Sequence, residues 1–509
     1  MYDEKIDEFY GELNDEIDIE LTKIIKGSNE IKVMLEININ TLPPIKNASI
    51  QISGNSRHPK GIESVTVNGE YAGAETWGRT IPIKEGDNTI AIIAKSKTGE
   101  EKSKQILIRS PPPPLIDTNE IIYVGSKEVP KQWGILGIVD GKKVAIDLNE
   151  PHTISIFGVQ RSGKSYTLGV VTEMAVKPIE NLSKLGKPMA CVIFHYSKNE
   201  SYAPEFESFR RTNNNAEEIK ILDQQYRAKP SKIDTMTILV PPTKLELRIK
   251  EYNTTVKPLL FRPQDLGALE WKTLLCAGER QIYLKMIKKI LETLKNEQRL
   301  TIRGLKDEIN KSDLNSQQKK LSILRIDFIE KFLSENAKPF SDFLIPGTIT
   351  LLDIRDEMLD EQEASTILGM LLIAMGKIDQ DKLLVIDEAH KYFGKALEKD
   401  IVELIREMAH TRTRILIASQ DPPSVNPRVI ELSDIIILHQ MPSPEWLKHI
   451  QGKNNALKKL TIDELSSLSK GEAYLWAKRS TDTEISIIPK KIQIRPRSTE
   501  HGGVTKIAF

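Results

Sequence analysis

Apolar side chains recur at Ile6, Phe9, Tyr10, Leu13, Ile17, Leu21 and Ile25, three and four residues apart. That spacing predicts an amphipathic helix over residues 1–28, with a dense acidic face opposite the apolar stripe. Beyond it the period shortens to that of strands. The runs IKVMLEINI, ASIQIS, IESVTVNG, NTIAIIAKS and SKQILIRS are rich in β-branched residues. Turn signals such as Asn68-Gly69 and Gly86-Asp87-Asn88 separate them, so residues 29–110 read as an all-β sandwich. Pro111–Pro114 are consecutive prolines, which predict a stiff, extended linker at 111–118 and a domain boundary there.

After the linker, strand and helix patterns alternate. Near-continuous apolar runs fall at 153–158, 190–195, 235–242, 347–354, 382–388, 414–420 and 434–440. Apolar strands with helical sequence between them predict a mostly parallel sheet covered on both faces, an α/β domain over 151–490. Residues 265–335 interrupt the rhythm with helix-patterned sequence and read as a helical insertion. Residues 119–150 read as a short β bridge with room for a reduced barrel, and 491–509 as a C-terminal tail.

Composition changes this picture little. The 509 residues are 39% hydrophobic and 28% charged with a net charge of +1, so no whole-chain basic or acidic signature marks a partner. Cys191 and Cys276 lack metal-ligand spacing and suit a reducing compartment. The acidic amino terminus does not resemble a signal peptide, and the apolar run 367–375 is shorter than the ~20 residues that span a bilayer. A cytoplasmic protein without membrane attachment is the expectation.

The chemistry concentrates in three motifs. Gly158-Val159-Gln160-Arg161-Ser162-Gly163-Lys164-Ser165 fits G-x-x-x-x-G-K-[ST] between a buried strand and a helix. Its glycines let backbone N–H groups surround phosphates at a helix N-terminus. The nucleotide-binding stretch therefore runs from Gly158 through Tyr166, with Lys164 reaching the β- and γ-phosphates and the Ser165 hydroxyl binding Mg²⁺. Arg161, inside this loop, either contacts nucleotide or faces solvent. In 383-LLVIDEAH-390 an apolar strand delivers two carboxylates at its C-terminal end. Asp387 is the candidate metal residue, and Glu388 the candidate general base that orients and deprotonates the attacking water. Gln420 ends the strand 414-RILIASQ-420 and suits a contact with the γ-phosphate or that water.

The layout GVQRSGKS, LLVIDEAH, an arginine-bearing helix (IREMAHTRTR) and ILIASQDP resembles the HerA/FtsK superfamily of P-loop ring ATPases. The continuation 423-PSVNPRVIELSDIIILHQMPSPEW-446 and the tail 495-RPRSTEHGG-503 are similar to HerA-like members. Residues 29–110, through VTVNGEYAG and IPIKEGDNTIAIIAKSKTGEEKSKQILI, likewise resemble the immunoglobulin-like modules of bacterial proteins. The resemblance implies a homohexameric ring that hydrolyses ATP with Mg²⁺ and moves double-stranded DNA. It also implies a partner nuclease or defence effector, in DNA-end processing or antiphage defence. The alternatives are an ATP-dependent scaffold that activates a partner effector with little translocation, and a secretion-type ATPase.

In a shared site a neighbour's guanidinium would neutralise transition-state charge. Arg406, Arg412, Arg414, Arg495 and Arg497 are the candidates, and the sequence does not choose among them. Where relatives carry Gly-Arg-Lys before the sensor strand, this chain has Ala409-His410-Thr411-Arg412-Thr413-Arg414. His195, His390, His410 and His439 lack zinc-ligand spacing. His501 reads as a residue that caps the tail or packs between subunits.

Overall fold

The computed structural model describes residues 35–40, 49–83, 86–110, 117–201, 204–276, 281–391, 402, 406–407 and 409–502. The helix expected at 1–28, the prolines at 111–114 and the tail beyond 502 lie outside them. The chain divides into two compact units, Met1–Leu115 and Ile116–Phe509.

The first unit is an all-antiparallel sheet. Its strands are β1 (Glu36–Ile39), β2 (Ser49–Arg57), β3 (Ile62–Val67), β4 (Glu70–Gly73), β5 (Thr76–Pro82), β6 (Gly86–Ser96) and β7 (Glu101–Ser110), in the order β1-β2-β5-β4-β3-β6-β7. Asn68 and Gly69 carry φ of 51° and 82°, so both take the left-handed conformation of a two-residue hairpin turn between β3 and β4. Alternation along each strand sends Ile50, Ile52, Val65, Val67, Ile90 and Ile92 to one buried face. Trp77 closes that core and donates its indole N–H to Ser56 Oγ at 3.1 Å.

The second unit is built on a large mixed sheet. Its strands are β8 (Asp117–Val124), β9 (Trp133–Val139), β10 (Lys142–Asp147), β11 (Thr153–Phe157), β12 (Ser183–Lys184), β13 (Ala190–Ser197) and β14 (Met236–Val240). They continue as β15 (Thr255–Pro258), β16 (Ile349–Arg355), β17 (Lys382–Ile386), β18 (Thr413–Ser419), β19 (Ile435–Leu438), β20 (Glu472–Ala477) and β21 (Lys490–Ile494). The spatial order is β15-β14-β16-β13-β17-β18-β11-β19-β20-β21-β9-β10-β8, with β12 on β9.

From β15 to β19 every pairing is parallel. From β19 to β10 the pairings turn antiparallel, and β10 returns parallel to β8. The sheet is therefore less uniformly parallel than the apolar runs imply. Strands β20 and β21 alternate buried and half-exposed residues, which is the antiparallel pattern. Residues 119–150, read as a bridge, form β8–β10 and join this sheet where β9 pairs with β21.

Both faces of the parallel part are buried. Successive residues of β11 and β17 point to opposite cores: Ile156, Leu383 and Val385 to one, Phe157, Leu384 and Ile386 to the other. Helix α1 (Lys164–Val176) covers the first face. Two helices, α2 (Ala216–Tyr226) and α3 (Leu245–Glu251), lie between β13 and β15 in the chain. On the opposite face lie α4 (Ala268–Cys276), α5 (Gln281–Asn296), α6 (Ile302–Lys311), α7 (Ser316–Glu330) and α8 (Glu361–Gly376). Reciprocal capping boxes start α7 at Asn315/Gln318 and α8 at Asp360/Glu363. Among the described residues no helix is long and apolar enough to cross a membrane.

Candidate active site

Strand β11 ends at Phe157 and α1 begins at Lys164, so the intervening loop lies at the C-terminal edge of the parallel strands. Gly158 adopts φ 157° and Gly163 φ 107°. A Cβ on Gly158 would lie 2.6 Å from Ser162 Oγ and 2.7 Å from His439 Cβ, so only glycine fits there. Arg161 sits at φ 66° with its side chain exposed. Ser162 Oγ and Lys164 Nζ both donate to the Val159 carbonyl, at 2.7 and 2.8 Å, which curls the loop around the position a phosphate would take. Burial lowers the Lys164 pKa, against the charges of Glu388, Asp387 and Glu205, which raise it.

Beside β11, strands β17 and β18 bring the other motifs to the same edge. Asp387 and Glu388 follow β17, and Gln420 follows β18. Gln420 Nε2 donates to Glu388 Oε1 at 2.5 Å. The other oxygen, Oε2, faces His390 Nε2 at 3.4 Å and Lys391 Nζ at 3.8 Å. Glu388 holds φ 53°, a left-handed conformation that costs a non-glycine residue roughly 1–3 kcal/mol. Asp387 accepts the Glu388 N–H at 3.0 Å, and burial, then the charges of Glu388 and Glu205, push its pKa up to about 7.

No group of three His, Cys, Asp or Glu side chains able to hold a metal occurs among the described residues. The donor set at this edge is the Ser165 hydroxyl and the Asp387 carboxylate. It fits a magnesium ion that arrives with a nucleotide: the Ser165 hydroxyl and Asp387 would hold it, and a cation there would relieve the buried Asp387 carboxylate.

Three further side chains support the site. His439 is fully buried beneath the loop. Its Nδ1 lies 3.1 Å from the Glu472 carbonyl, which only accepts, so Nδ1 carries the proton and Nε2 accepts from Thr167 Oγ1 at 2.8 Å. Burial pushes its pKa down to about 4. A histidine in unfolded chain titrates near 6.5, so holding this imidazole neutral stabilises the fold fully above about pH 6.5. It is lost as the pH falls through about 4. Urea midpoints measured between pH 7.5 and 4.5 should fall less steeply for His439→Gln than for the wild type.

Glu173, on α1, is also fully buried. It accepts from Arg495 Nη1 at 2.6 Å, from the Ser498 and Thr499 amides at 3.0 Å each, and from Thr499 Oγ1 at 2.8 Å. Thr499 Oγ1 in turn accepts from Arg497 at 2.8 Å, and the Arg497 guanidinium lies 4.4 Å from the Phe209 ring centre. Gly169 leaves space for that guanidinium, since a Cβ there would lie 2.6 Å from Arg497 Nη1. Glu173→Gln should destabilise the fold by about 3–5 kcal/mol, because Arg495 is left as an uncompensated buried charge. Urea unfolding measures it, and adding Arg495→Met should recover part of the loss.

The third is Glu205, whose Oε2 is buried without a hydrogen-bond partner, 4.0 Å from His501 Nδ1. His501 packs edge-on to Tyr166 at 5.2 Å. The Tyr166 hydroxyl donates to Glu218 Oε2 and accepts the Arg497 N–H, both at 2.8 Å. The tail thus folds onto its own chain.

This placement bears on each candidate arginine. Arg495 and Arg497 are fully buried inside their own subunit, so neither projects toward a neighbour, and both leave the set of candidate fingers. Arg414 is buried and donates to Asp381 Oδ1 at 2.7 Å. Arg412, half-exposed, donates to Asp379 Oδ1 at 3.1 Å. Arg414 lies near the N-terminal end of β18 and Arg412 just before it, about 20 Å along the strand from the phosphate loop, too far to serve their own site. Arg406 is exposed. His195 is buried in β13, His410 is exposed, and neither lies among the groups around Lys164.

Protein-family models and curated proteins return no match to this chain. Among solved structures, it is similar to VirB4 of Thermoanaerobacter pseudethanolicus, at 12% identity and a TM-score of 0.42, over 73% of this chain and 98% of that one. The bacterial conjugative coupling protein TrwB is similar at 11% identity and a TM-score of 0.42, over 70% of this chain and 87% of that one. The genome-packaging NTPase B204 of Sulfolobus turreted icosahedral virus 2, in complex with ATP-γS, is similar at 17% identity and a TM-score of 0.21, over 28% and 67%.

Proposed function

We propose that this chain binds Mg-ATP through Gly158–Tyr166 and hydrolyses it. The observation that carries the reading is the convergence of Lys164, Asp387, Glu388 and Gln420 at one edge of adjacent parallel strands. In this reading Lys164 leaves the Val159 carbonyl for the phosphates, and the loop amides and α1 N-terminus complete the cradle. Magnesium, when bound with the nucleotide, neutralises charge on the transferring phosphoryl group. Glu388 takes the proton of the attacking water, and Gln420 fixes the Glu388 carboxylate in line.

The motif layout further supports a ring motor acting on double-stranded DNA, of the HerA/FtsK type, in the cytoplasm. Six copies per ring, a separate nuclease or defence effector, and an immunoglobulin-like character for the amino-terminal sheet belong to the same reading. Arg406 or Arg412 of a neighbouring copy would supply the finger, Arg412 by release from Asp379. ATPase rate with and without linear duplex DNA tests the motor. Stimulation that declines with salt supports it, because a DNA channel displaces counterions. An unchanged rate would favour the assembly scaffold.

A further inference from the structure

The end of β18 reaches the Glu388 carboxylate from two sides. Ser419 closes the strand and Gln420 follows it. Gln420 takes Glu388 Oε1 directly. Ser419, fully buried, reaches the other oxygen through His390. His390 Nδ1 lies 3.4 Å from Ser419 Oγ, and its Nε2 lies 3.4 Å from Glu388 Oε2. Burial lowers the His390 pKa, which leaves the ring one proton. A carboxylate only accepts, so Nε2 carries that proton and Nδ1 accepts from the Ser419 hydroxyl. The hydroxyl is shared with the Asp421 carbonyl at 3.2 Å, and the Asp421 N–H donates back to the same oxygen at 3.2 Å. Ser419 is therefore a fixed post for the imidazole.

A glutamate carboxylate turns easily about its last bond, so one hydrogen bond from Gln420 leaves Oε2 able to swing. Lys391 Nζ, 3.8 Å from Oε2, attracts that oxygen without setting its direction, because an ammonium on a flexible stem has no fixed donor axis. A flat ring braced from behind does set it. We infer that His390 is a positioning residue for Glu388, holding Oε2 while Gln420 holds Oε1, so that the carboxylate meets the attacking water in one fixed plane. This inference rests on the reading of Glu388 as the base of an ATP site. His390 acts only through Glu388 and moves no proton itself. Its contact with Oε2 should shorten when nucleotide fills the site, as catalytic hydrogen bonds tighten in the loaded state. Misplacing a reacting group by about 1 Å costs on the order of 10²-fold in rate, which sets the scale for losing one of the two tethers.

The test is single-turnover hydrolysis of radiolabelled Mg-ATP by the full chain, with equilibrium ATP binding measured beside it. His390→Ala should slow the chemical step by about 10–10²-fold and leave the Kd within a few-fold of wild type. His390→Gln places an amide N–H near the position of Nε2 and should recover most of that rate. In the Glu388→Gln background, where the base is gone, His390→Ala should change the residual rate by less than about twofold, since residues acting as a unit are not additive. No loss in His390→Ala, an equal loss in His390→Gln, or the same loss in both backgrounds would overturn the inference. So would a loss that comes with weakened binding and a lowered melting temperature, which marks His390 as structural only. If Glu388→Gln turns over as fast as wild type, the base assignment fails and the inference with it. If the wild type does not hydrolyse ATP, it is the ATP reading itself that fails.

Discussion

Lys164→Ala should reduce ATP turnover by about 10²–10³-fold or more, the loss typical of removing one charged group that meets developing transition-state charge. Its ammonium is buried at the loop and held only by the Val159 carbonyl and neighbouring carboxylates. Nothing else described in the loop carries a buried cation, since Arg161 faces solvent. Affinity for nucleotide should weaken as well, because the lysine contacts phosphate in the ground state too. The fold should survive, as alanine removes a charge and restores no cost. Steady-state hydrolysis and nucleotide binding measure the two effects. Near-normal turnover by this variant would remove the phosphate loop from the chemistry.

Glu388→Gln should separate binding from hydrolysis. Glutamine keeps the size and can still meet Gln420, but it takes no proton from water. Turnover should fall by about 10²–10⁴-fold while ATP binding stays within a few-fold of wild type. Losing a carboxylate also removes repulsion against the phosphates, so affinity should rise if it changes at all. A trapped-nucleotide assay on the variant, beside kcat, checks both halves. Lost binding instead would make Glu388 a metal or structural residue and would transfer the base to another group.

The pairing of Gln420 with Glu388 shows why such sites need tertiary structure to be understood. Apolar runs in β11, β17 and β18 are legible because strands buried on both faces leave no alternation, and a strand-end acid pair beside a phosphate-loop pattern is a recognisable combination. Asn68-Gly69 is equally local, since its turn depends on two residues that tolerate positive φ. Strand direction is not local. Whether β19 leads parallel or antiparallel into the next strand is decided by partners far along the chain, as where Ile435 meets Ala477.

The supporting residues divide the same way. Glu173 left a trace, as a lone acid in the apolar run TLGVVTEMAV, yet its partner Arg495 lies 322 positions away. His439 and Glu205 left none. Each matters through burial and through charges that only folding brings near, and a pKa moves with exactly those surroundings. The tail arginines make the contrast plain. As sequence, Arg495 and Arg497 are exposed-looking cations near a chain end; folded, they are desolvated and committed to Glu173 and Thr499. Sequence by itself determined where the loop, the carboxylate strand and the turns form, because those depend on neighbours three or four residues apart. Only the tertiary structure decided which charges are buried together, because desolvation and Coulomb energy depend on distance through space and not along the chain.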